Sequence, residues 1–385
     1  MKQKVRWGIL GVARINARVI PAIYRARNAE VYAIASRSQH KAEQAARDWS
    51  IARAYGSYEA LLEDPDVDAV YIPLPNALHG MWTMRAAEQG KHVLCEKPLA
   101  KDAAEAQQMV EVCKRHGVLL MDGFFWPHHP RTARLRHLLD RGAIGRVQLV
   151  VGAFTFQLPL DPANIRLQPG LAGGCVMDIG CYPIYGARWV FGGEPQRVYA
   201  VAQWYTPHQS EPVPQLTKLA HLLQECVSCV RGLDDAALEQ GLEAIRQRVQ
   251  ALAHSAPGAQ ESIDLGMQGM LEFEAGRVAL FDCSFTMPFR GKLEIVGSEG
   301  VIEVPEMWLP PARATLIVHR EGRQPEEIVV EGEDQIVHMI ERFSQAVLEE
   351  GEAPVPPEQA VQTMRVLDAV RAAARQGQPV VLQRA

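Results

Sequence analysis

Short apolar runs alternate with segments of helical periodicity through the first third of the chain. The runs with strand character lie at 4–10, 31–35, 68–72, 92–95 and 118–121. A turn at Gly11 leads into a segment with helical character that runs to about Ala26, and further such segments lie at 39–48, 77–89 and 103–115. Regular alternation of short strands with helices of about 10–15 residues is the pattern of a doubly wound parallel sheet. We therefore predict an α/β domain of this type over residues 1–126.

The pattern changes in the remainder of the chain, residues 127–385. Strands separated by turn signals are predicted at 147–157, 196–204, 266–274, 277–286, 290–296 and 314–330. Helices are predicted at 179–192, 335–349 and 357–375. Consecutive strands without helices between them favour antiparallel pairing. We predict a second, α+β domain built on a large, mostly antiparallel open sheet.

A helical segment interrupts these strands at about 212–257. Apolar residues recur there in two runs at helical spacing, which predicts an inserted helical hairpin. The hairpin either packs on the sheet or on itself, or it forms a subunit contact or a lid, and the pattern leaves these alternatives open. Its one C-x-x-C pair, Cys226 and Cys229, has no second pair and no histidine cluster nearby, so no metal site is predicted.

Charge and hydropathy exclude several classes of partner. The 385-residue chain carries a formal net charge of −5, which argues against nucleic acid or an anionic membrane as the main partner. No apolar run is long enough to span a bilayer, and the N-terminus enters a strand without a signal-peptide core. Seven cysteines scattered along the chain fit reduced thiols better than a disulfide framework. The sequence therefore predicts a cytoplasmic protein.

The turn after the first strand carries part of a dinucleotide-binding fingerprint. The pattern G-x-G-x-x-G corresponds to residues 11–16, GVARIN, where only the first glycine is present. Ala13 is small enough for the backbone to approach a pyrophosphate, whereas Asn16 is larger than close packing of helix on strand usually requires. We predict that Gly11, Ala13, Arg14 and Ile15 contact a dinucleotide; an ordinary turn between strand and helix is the alternative.

The end of the second strand distinguishes between cofactors. NAD binding usually places an acid there, facing the ribose 2′-hydroxyl, but this chain has Ser36 and Arg37. A charge-assisted contact from Arg37 to a 2′-phosphate is worth about 1.5–3 kcal/mol. We therefore predict NADP in preference to NAD, with a solvated turn arginine as the alternative.

Two motifs supply groups for acid–base chemistry. The tetrad CEKP at 95–98 places the ammonium of Lys97 at the carboxyl end of a predicted strand. The cluster GGCVMDIGCY at 173–182 places Asp178 and Tyr182 one turn apart on a predicted helix. Together the two motifs predict an enzyme that transfers a hydride while a lysine–tyrosine pair moves a proton.

A lysine and a tyrosine together make a usable acid–base pair. A free tyrosine has a pKa of about 10, but an ammonium about 4 Å away attracts the phenolate by about 4 kcal/mol at an effective dielectric near 20. We predict that Tyr182 is the acid/base, and that Lys97 tunes it and donates to the substrate oxygen. Asp178 either binds a substrate hydroxyl or orients Lys97.

Four segments in this order resemble the glucose–fructose oxidoreductase / inositol dehydrogenase / MocA family: 11–16, 71–79, 95–98 and 178–182. The chain is most similar to the branch of dihydrodiol dehydrogenases and NADP-dependent sugar dehydrogenases. The resemblance implies an N-terminal Rossmann domain, a second domain with a large open sheet, and NAD(P)-linked oxidation or reduction of sugars, polyols or related diols.

The resemblance also assigns residues to the site. It implies that Lys97 lies near the nicotinamide and the substrate, and that Tyr182 stands where much of the family has histidine. It matches Asp178 to an acid in the same helix. Four further cofactor contacts are predicted in the segments 71–79 and 95–98: Pro73, Asn76, His79 and Glu96.

Further residues are predicted on the substrate side. Residues 124–130, FFWPHHP, follow the last strand of the first domain and are expected to pass over the cleft, which makes Trp126 and His128 candidates. Adjacent histidines without a third ligand do not make a metal site. Asn164 and Arg166 precede the glycine pair at 173–174 and are candidates for polar substrate groups; a loop salt bridge is the alternative for Arg166.

The leading hypothesis is an NAD(P)-dependent oxidoreductase that acts on a CH–OH group of a sugar, polyol or cyclic diol. One alternative is a glycosidase that works by redox and elimination with a tightly bound nicotinamide cofactor. Another is a non-catalytic regulator that binds the dinucleotide. The expected assembly is a homodimer or homotetramer through the sheet of the second domain.

Overall fold

The computed structural model describes residues 3–206, 262–332 and 334–383. It divides into two compact units, Met1–Pro130 with Gly332–Met364, and Arg131–Glu331 with Arg365–Ala385. The predicted boundary lies at residue 126, with the remainder in the second domain, whereas the chain divides after Pro130 and residues 332–364 group with the first unit. The predicted hairpin at 212–257 lies outside the described residues.

The first unit contains a six-stranded parallel sheet with the strand order β3-β2-β1-β4-β5-β6. Its strands are β1 (Val5–Leu10), β2 (Ala29–Ala35), β3 (Arg53–Tyr55), β4 (Ala69–Ile72), β5 (His92–Cys95) and β6 (Leu120–Asp122). Its helices between strands are α1 (Asn16–Arg25), α2 (Gln39–Trp49), α3 (Tyr58–Leu62), α4 (His79–Glu88) and α5 (Ala103–Arg115). The order is that of a Rossmann fold, so the predicted doubly wound sheet is confirmed.

Local sequence signals account for several of these helix starts. Ser38, Ser57 and Asp102 cap helices α2, α3 and α5 by accepting hydrogen bonds from backbone N–H groups in the first turn. Such caps satisfy donors that have no partner inside the helix. The strands between these helices are almost wholly buried, which explains their continuous apolar character.

The second unit contains a nine-stranded sheet with the order β14-β13-β12-β11-β7-β10-β9-β8-β15. Its strands are β7 (Val147–Gln157), β8 (Arg197–Tyr205), β9 (Ile263–Glu272), β10 (Val278–Ser284), β11 (Thr286–Gly297), β12 (Gly300–Val304), β13 (Arg313–Arg320), β14 (Glu326–Glu331) and β15 (Val380–Val381). Only the β7–β10 pair is parallel. The prediction of a large, mostly antiparallel sheet is confirmed.

Two helices flank β7 in the sequence, and two more follow β14. Helix α6 spans Pro130–Asp140 and α7 spans Cys181–Phe191, preceded by a π-helical turn at Val176–Gly180. The later helices are α8 (Gln335–Leu348) and α9 (Pro357–Gln376). The run predicted as one strand at 314–330 is the hairpin β13–β14, because Gly322 takes a positive φ of 68° at the turn.

Helix α8 explains why residues 332–364 belong to the first unit. The ring of Phe343 packs on Trp7 with a centroid distance of 5.5 Å, and the indole N–H of Trp7 donates to Ser344 Oγ at 3.2 Å. The Arg27 guanidinium pairs with Glu341 at 3.0 Å. These contacts attach an amphipathic helix from late in the chain to the first strand of the Rossmann sheet.

Within the described ranges, no helix is long and apolar enough to cross a membrane.

Candidate active site

The turn after β1 is tight and is built on Gly11. Gly11 takes φ 127°, and a Cβ there would lie 3.1 Å from Leu74 Cδ2. The Asn16 side-chain amide donates to the Gly11 carbonyl at 2.8 Å and so closes the turn. Sequence reasoning treated Asn16 only as a departure from the fingerprint. Its amide is the signal that a side chain, and not tight packing, holds this turn.

Helix α1 begins at this turn without a capping side chain. Its N-cap residue is Ile15, which has no side-chain acceptor. Ala13 and Ile15 are half-buried, while Arg14 is exposed. The backbone N–H groups of Asn16, Ala17 and Arg18 donate instead to the carbonyls of residues 13–15, at 3.1, 3.3 and 2.9 Å, so the turn itself caps this ten-residue helix.

The end of β2 carries the two residues predicted to distinguish NADP from NAD. Ser36 is buried and its Oγ accepts a hydrogen bond from the Ser38 N–H at 3.3 Å. Arg37 is exposed and its side chain contacts the hydroxyl of Tyr58. Burial raises the pKa of Tyr58, and the charge of Arg37 opposes that shift. The same hydroxyl would lie 3.8 Å from a Cβ at Gly11, so Tyr58 connects Arg37 with the turn.

The segment after β4 contains Pro73, Asn76 and His79. Pro73 is buried, and Asn76 begins a short 3-10 turn. The His79 ring is fully buried, with Nδ1 3.0 Å from the Pro98 carbonyl oxygen and Nε2 2.8 Å from the Leu74 carbonyl oxygen. Burial lowers the pKa of His79. The ring therefore joins the segment after β4 to the segment after β5.

The motif at 95–98 is held by a tyrosine from β4. The hydroxyl of Tyr71 donates to Glu96 Oε1 at 2.6 Å, and the backbone N–H of Lys97 donates to Glu96 Oε2 at 3.2 Å. The Lys97–Pro98 peptide bond is cis, and the Lys97 side chain is half-buried. Glu96 thus fixes the backbone that carries Lys97.

Trp126 and His128 form a 3-10 turn within the first unit, and both are buried. Nδ1 of His128 lies 3.3 Å from Nη1 of Arg342 on α8. Burial, followed by the charges of Arg342 and His338, lowers the pKa of His128 to about 3. Because a guanidinium can only donate, Nδ1 accepts and the neutral ring carries its proton on Nε2.

The second unit gathers the other predicted site residues around the start of α7. The Nε atom of Arg166 donates to Asp178 Oδ2 at 2.6 Å. The Oδ1 atom of Asn164 accepts the backbone N–H of Arg166 at 3.1 Å, which shapes the loop. The salt bridge that sequence analysis left as the alternative for Arg166 is present, and its partner is itself a predicted site residue.

Tyr182 lies one helical turn beyond Asp178 and is surrounded by aromatic rings. It packs edge-to-face on Phe154 of β7 at 5.0 Å and tilted on Trp308 at 5.9 Å. Phe289 meets Phe154 at 6.3 Å and is 52% exposed. Sequence reasoning missed these three neighbours. The strand alternation of β7 could have placed Phe154 on the helix-facing side, but Trp308 lies in an irregular segment with no periodic signal.

Each unit thus brings together one part of the predicted set. The first gathers the turn at Gly11, the pair Ser36–Arg37, His79 and the Glu96–Lys97 motif around the carboxyl ends of its strands. The second gathers Asn164, Arg166, Asp178 and Tyr182. Among the described residues, no group of three or more His, Cys, Asp or Glu side chains is arranged to hold a metal ion.

These features define an oxidoreductase with a nucleotide-binding Rossmann domain. Residues 5–124 match the profile described as "Oxidoreductase family, NAD-binding Rossmann fold", and residues 132–303 match the GFO/IDH/MocA C-terminal domain. The chain therefore belongs to the GFO/IDH/MocA oxidoreductase family, and the predicted resemblance is confirmed.

One similar protein covers nearly the whole chain, and another covers about half of it. The chain is 36% identical over 380 residues to D-xylose 1-dehydrogenase (NADP(+)) 2 of Haloferax volcanii, covering 98% of this chain and 99% of that protein. It is 35% identical over 198 residues to trans-1,2-dihydrobenzene-1,2-diol dehydrogenase of Xenopus tropicalis, covering 51% of this chain and 59% of that protein.

A solved structure covers nearly the whole chain. KijD10, a 3-ketoreductase from Actinomadura kijaniata in complex with NADP and TDP-benzene, superposes with a TM-score of 0.78 at 30% identity, covering 97% of this chain and 98% of that one. Structures of that reductase include one with a single lysine replaced by alanine and one with a single tyrosine replaced by phenylalanine.

Proposed function

We propose that the protein is an NADP-dependent oxidoreductase that moves a hydride between the nicotinamide and a sugar, a polyol or a cyclic diol. The observation that carries this proposal is the placement of Tyr182. Its ring is fixed between Phe154 and Trp308, one turn after the ion-paired Asp178. Aromatic rings at the edge of a site suit a substrate that has both apolar faces and hydroxyl groups, such as a carbohydrate or a cyclic diol.

The residues of the first unit fit a dinucleotide. Gly11 has a conformation that a side chain would strain, and a Cβ there would close the approach to the turn. We propose that the backbone of residues 11–15 and the start of α1 hold the pyrophosphate. Pro73, Asn76 and the Glu96–Lys97 segment are proposed to line the nicotinamide half, with His79 joining the two segments.

The preference for NADP is supported by Arg37 and Ser36. Arg37 is exposed at the end of β2, where a 2′-phosphate lies in this fold. No acid stands at this position to accept from a 2′-hydroxyl. The similar xylose dehydrogenase uses NADP, and the similar ketoreductase was solved in complex with NADP.

Proton transfer is assigned to side chains of this chain. When bound, the nicotinamide takes or supplies the hydride. In oxidation, the phenolate oxygen of Tyr182 takes the proton of the substrate hydroxyl, and in reduction the phenol returns it. The Lys97 ammonium lowers the pKa of that phenol and donates to the substrate oxygen. Asp178, held by Arg166, accepts a hydrogen bond from a second substrate hydroxyl. Trp126, His128 and Asn164 remain proposed substrate-side residues.

A substrate panel tests the proposal. Aldoses, inositols, cyclic diols and their ketone forms are offered with NADP and NAD, or with the reduced cofactors, and the nicotinamide absorbance is followed. We expect net turnover with NADP on at least one ring substrate. Release of sugar from glycosides without net change in the nicotinamide supports the redox-elimination glycosidase, and cofactor binding without turnover on any substrate supports a regulator.

The oligomeric state and the cellular location complete the proposal. The broad sheet of the second unit supports a homodimer or homotetramer, which light scattering of the purified protein tests. The described cysteines are free and buried: Cys95, Cys113, Cys175, Cys181 and Cys283. Free thiols support a reducing compartment such as the cytoplasm, which fractionation of cells tests.

A further inference from the structure

Arg131 is a buried cation that donates to four backbone carbonyls of the second unit. The residue is 2% exposed. Its Nη1 donates to the carbonyls of Pro305 at 2.7 Å and Thr315 at 3.4 Å, and its Nη2 to those of Glu306 at 3.0 Å and Met307 at 3.4 Å. Burying a guanidinium is costly unless its donors are satisfied. The four carbonyls accept these hydrogen bonds, and three of them belong to residues 305–307, which are thereby tied to helix α6.

The tied segment, residues 305–307, is irregular and needs this support. Glu306 takes a positive φ of 46°, which non-glycine residues rarely adopt. The Met307 N–H donates to the Gly291 carbonyl at 2.5 Å, so β11 holds the segment from the other side. The next residue is Trp308, whose indole N–H donates to the Ala153 carbonyl at 2.8 Å.

Trp308 in turn packs along the helix that carries Tyr182. The ring is 1% exposed and lies 5.9 Å from the Tyr182 ring. A Cβ at Gly186, one turn beyond Tyr182, would lie 2.8 Å from Cη2 of Trp308. The helix therefore lacks a side chain where the indole approaches it, and the position of the indole determines the packing around Tyr182.

We propose that Arg131 is a positioning residue for hydride transfer: it holds residues 305–307 so that Trp308 fixes the ring of Tyr182. The inference rests on the proposed role of Tyr182 as the acid/base. Loss of the guanidinium leaves four carbonyls without their donor, the segment relaxes and the indole shifts. A shift of about 1 Å in a group that positions the chemistry can cost about 100-fold in rate.

Three variants test the proposal in the full-length protein. Arg131→Met keeps the apolar stem and removes the donors, Arg131→Lys restores a charge with fewer donors, and Arg134→Met is the control because Arg134 is exposed on the same helix. We expect Arg131→Met to lower kcat/KM about 100-fold, with NADP affinity within about twofold of wild type because the dinucleotide fold belongs to the other unit. Arg131→Lys should recover part of the loss, and the control should match wild type.

A second readout separates positioning from stability. The pH at which kcat falls by half should move in Arg131→Met, because the packing around the Tyr182 phenol changes. Trp308→Phe should reproduce both the lost rate and the moved pH profile, and the double variant should show no further loss. Wild-type kcat/KM in folded Arg131→Met, or full additivity with Trp308→Phe, overturns the proposal. If Arg131→Met does not fold, normal kinetics in Arg131→Lys together with normal kinetics in Trp308→Phe overturn it.

The proposed function can fail independently. If the wild-type protein transfers no hydride on any substrate, that function is refuted. The effect of Arg131 on the position of Trp308 is then measured by near-ultraviolet circular dichroism of the tryptophans. Arg131→Met, or Arg131→Lys where the former does not fold, should change this spectrum in the wild-type background and leave it unchanged in the Trp308→Phe background. The same change in both backgrounds overturns the coupling of Arg131 to Trp308.

Discussion

The guanidinium of Arg166 and the carboxylate of Asp178 form an ion pair of 2.6 Å within the second unit, with side-chain exposures of 37% and 15%. The pair directs the carboxylate, one turn before Tyr182. A carboxylate oxygen accepts hydrogen bonds, and we propose that Asp178, held in this way by Arg166, binds a substrate hydroxyl.

Replacing Arg166 by Met should therefore raise KM for a polyhydroxy substrate by about 10-fold or more, since a hydrogen bond to a charged group is worth about 1.5–3 kcal/mol. The affinity for NADP should not change. Steady-state kinetics and cofactor titration measure the two effects. Arg141→Met, an exposed arginine of the same unit, is the control, and an unchanged KM in Arg166→Met would remove the ion pair from substrate binding.

Lys97→Ala should reduce kcat by about 100- to 10,000-fold, the range typical of a lost acid–base group. The reason lies in the proposed mechanism, in which the Lys97 ammonium makes the Tyr182 phenol a usable acid/base. Cofactor binding should stay measurable. Lys101→Ala is a close control, because Lys101 lies four positions on in the sequence and its side chain, which pairs with Glu105 at 3.4 Å, is 51% exposed. Turnover near the wild-type value in Lys97→Ala would exclude the lysine from the mechanism.

Arg37→Ala should weaken NADP by about 10- to 150-fold and NAD hardly at all, because a charge-assisted contact to the 2′-phosphate is worth about 1.5–3 kcal/mol. Binding of both dinucleotides by fluorescence titration gives the ratio directly. Tyr58→Phe tests the support of Arg37, since the guanidinium contacts that hydroxyl. Equal losses for the two cofactors in Arg37→Ala would contradict the assignment.

His128 should make the first unit sensitive to acid. Its pKa is about 3 in the folded protein because the ring is buried, whereas an unfolded histidine titrates near 6.5. Between these values the unfolded chain binds more protons, so stability is complete above about pH 6.5 and is lost as the pH falls towards 3. From pH 7 to pH 5 this loss amounts to about 2 kcal/mol.

Urea unfolding at pH 7 and pH 5 measures that contribution. His128→Gln should lose about 2 kcal/mol less than wild type over this interval, because glutamine does not titrate. His116→Gln provides the comparison, since His116 is exposed at the end of α5. An identical pH dependence in wild type and His128→Gln would show that this ring is not responsible.

The order and type of most long elements follow from periodicity, and the parallel and antiparallel sheets were both predictable for that reason. The eleven-residue helix α6 at Pro130–Asp140 is an exception that was not predicted. Short elements were not: β3 and α3 have three and five residues, too few to show a period. The turn at residues 176–180 is π-helical, so Asp178 precedes helix α7 while Tyr182 lies within it. The sequence pattern did not distinguish this π-helical turn from the start of an α-helix.

The partners that hold the site were beyond sequence reasoning because they come from distant positions. Asn16 acts on a carbonyl of its own turn, yet Arg131 acts on carbonyls more than 170 positions later. The amphipathic pattern of α8 indicates a buried face but not that this face packs on Trp7. Such contacts depend on tertiary structure, and a single sequence contains no local signal for them.

Gly186→Ala tests whether the indole beside Tyr182 is fixed. Within a helix, alanine for glycine ordinarily stabilises by about 1 kcal/mol. Here the new Cβ would lie 2.8 Å from Cη2 of Trp308, and the indole cannot withdraw easily because its N–H is bonded to Ala153. We expect lower stability and a reduced kcat/KM in place of a gain.

A second substitution separates the clash from any other effect of the added methyl group. Phenylalanine at position 308 lacks the outer indole atoms, so Gly186→Ala combined with Trp308→Phe should recover the helix stabilisation that Gly186→Ala alone loses. Thermal unfolding and kinetics of the four proteins in this cycle give the coupling energy. A purely additive cycle would mean that the indole yields freely and that its contact with the helix does not constrain Tyr182.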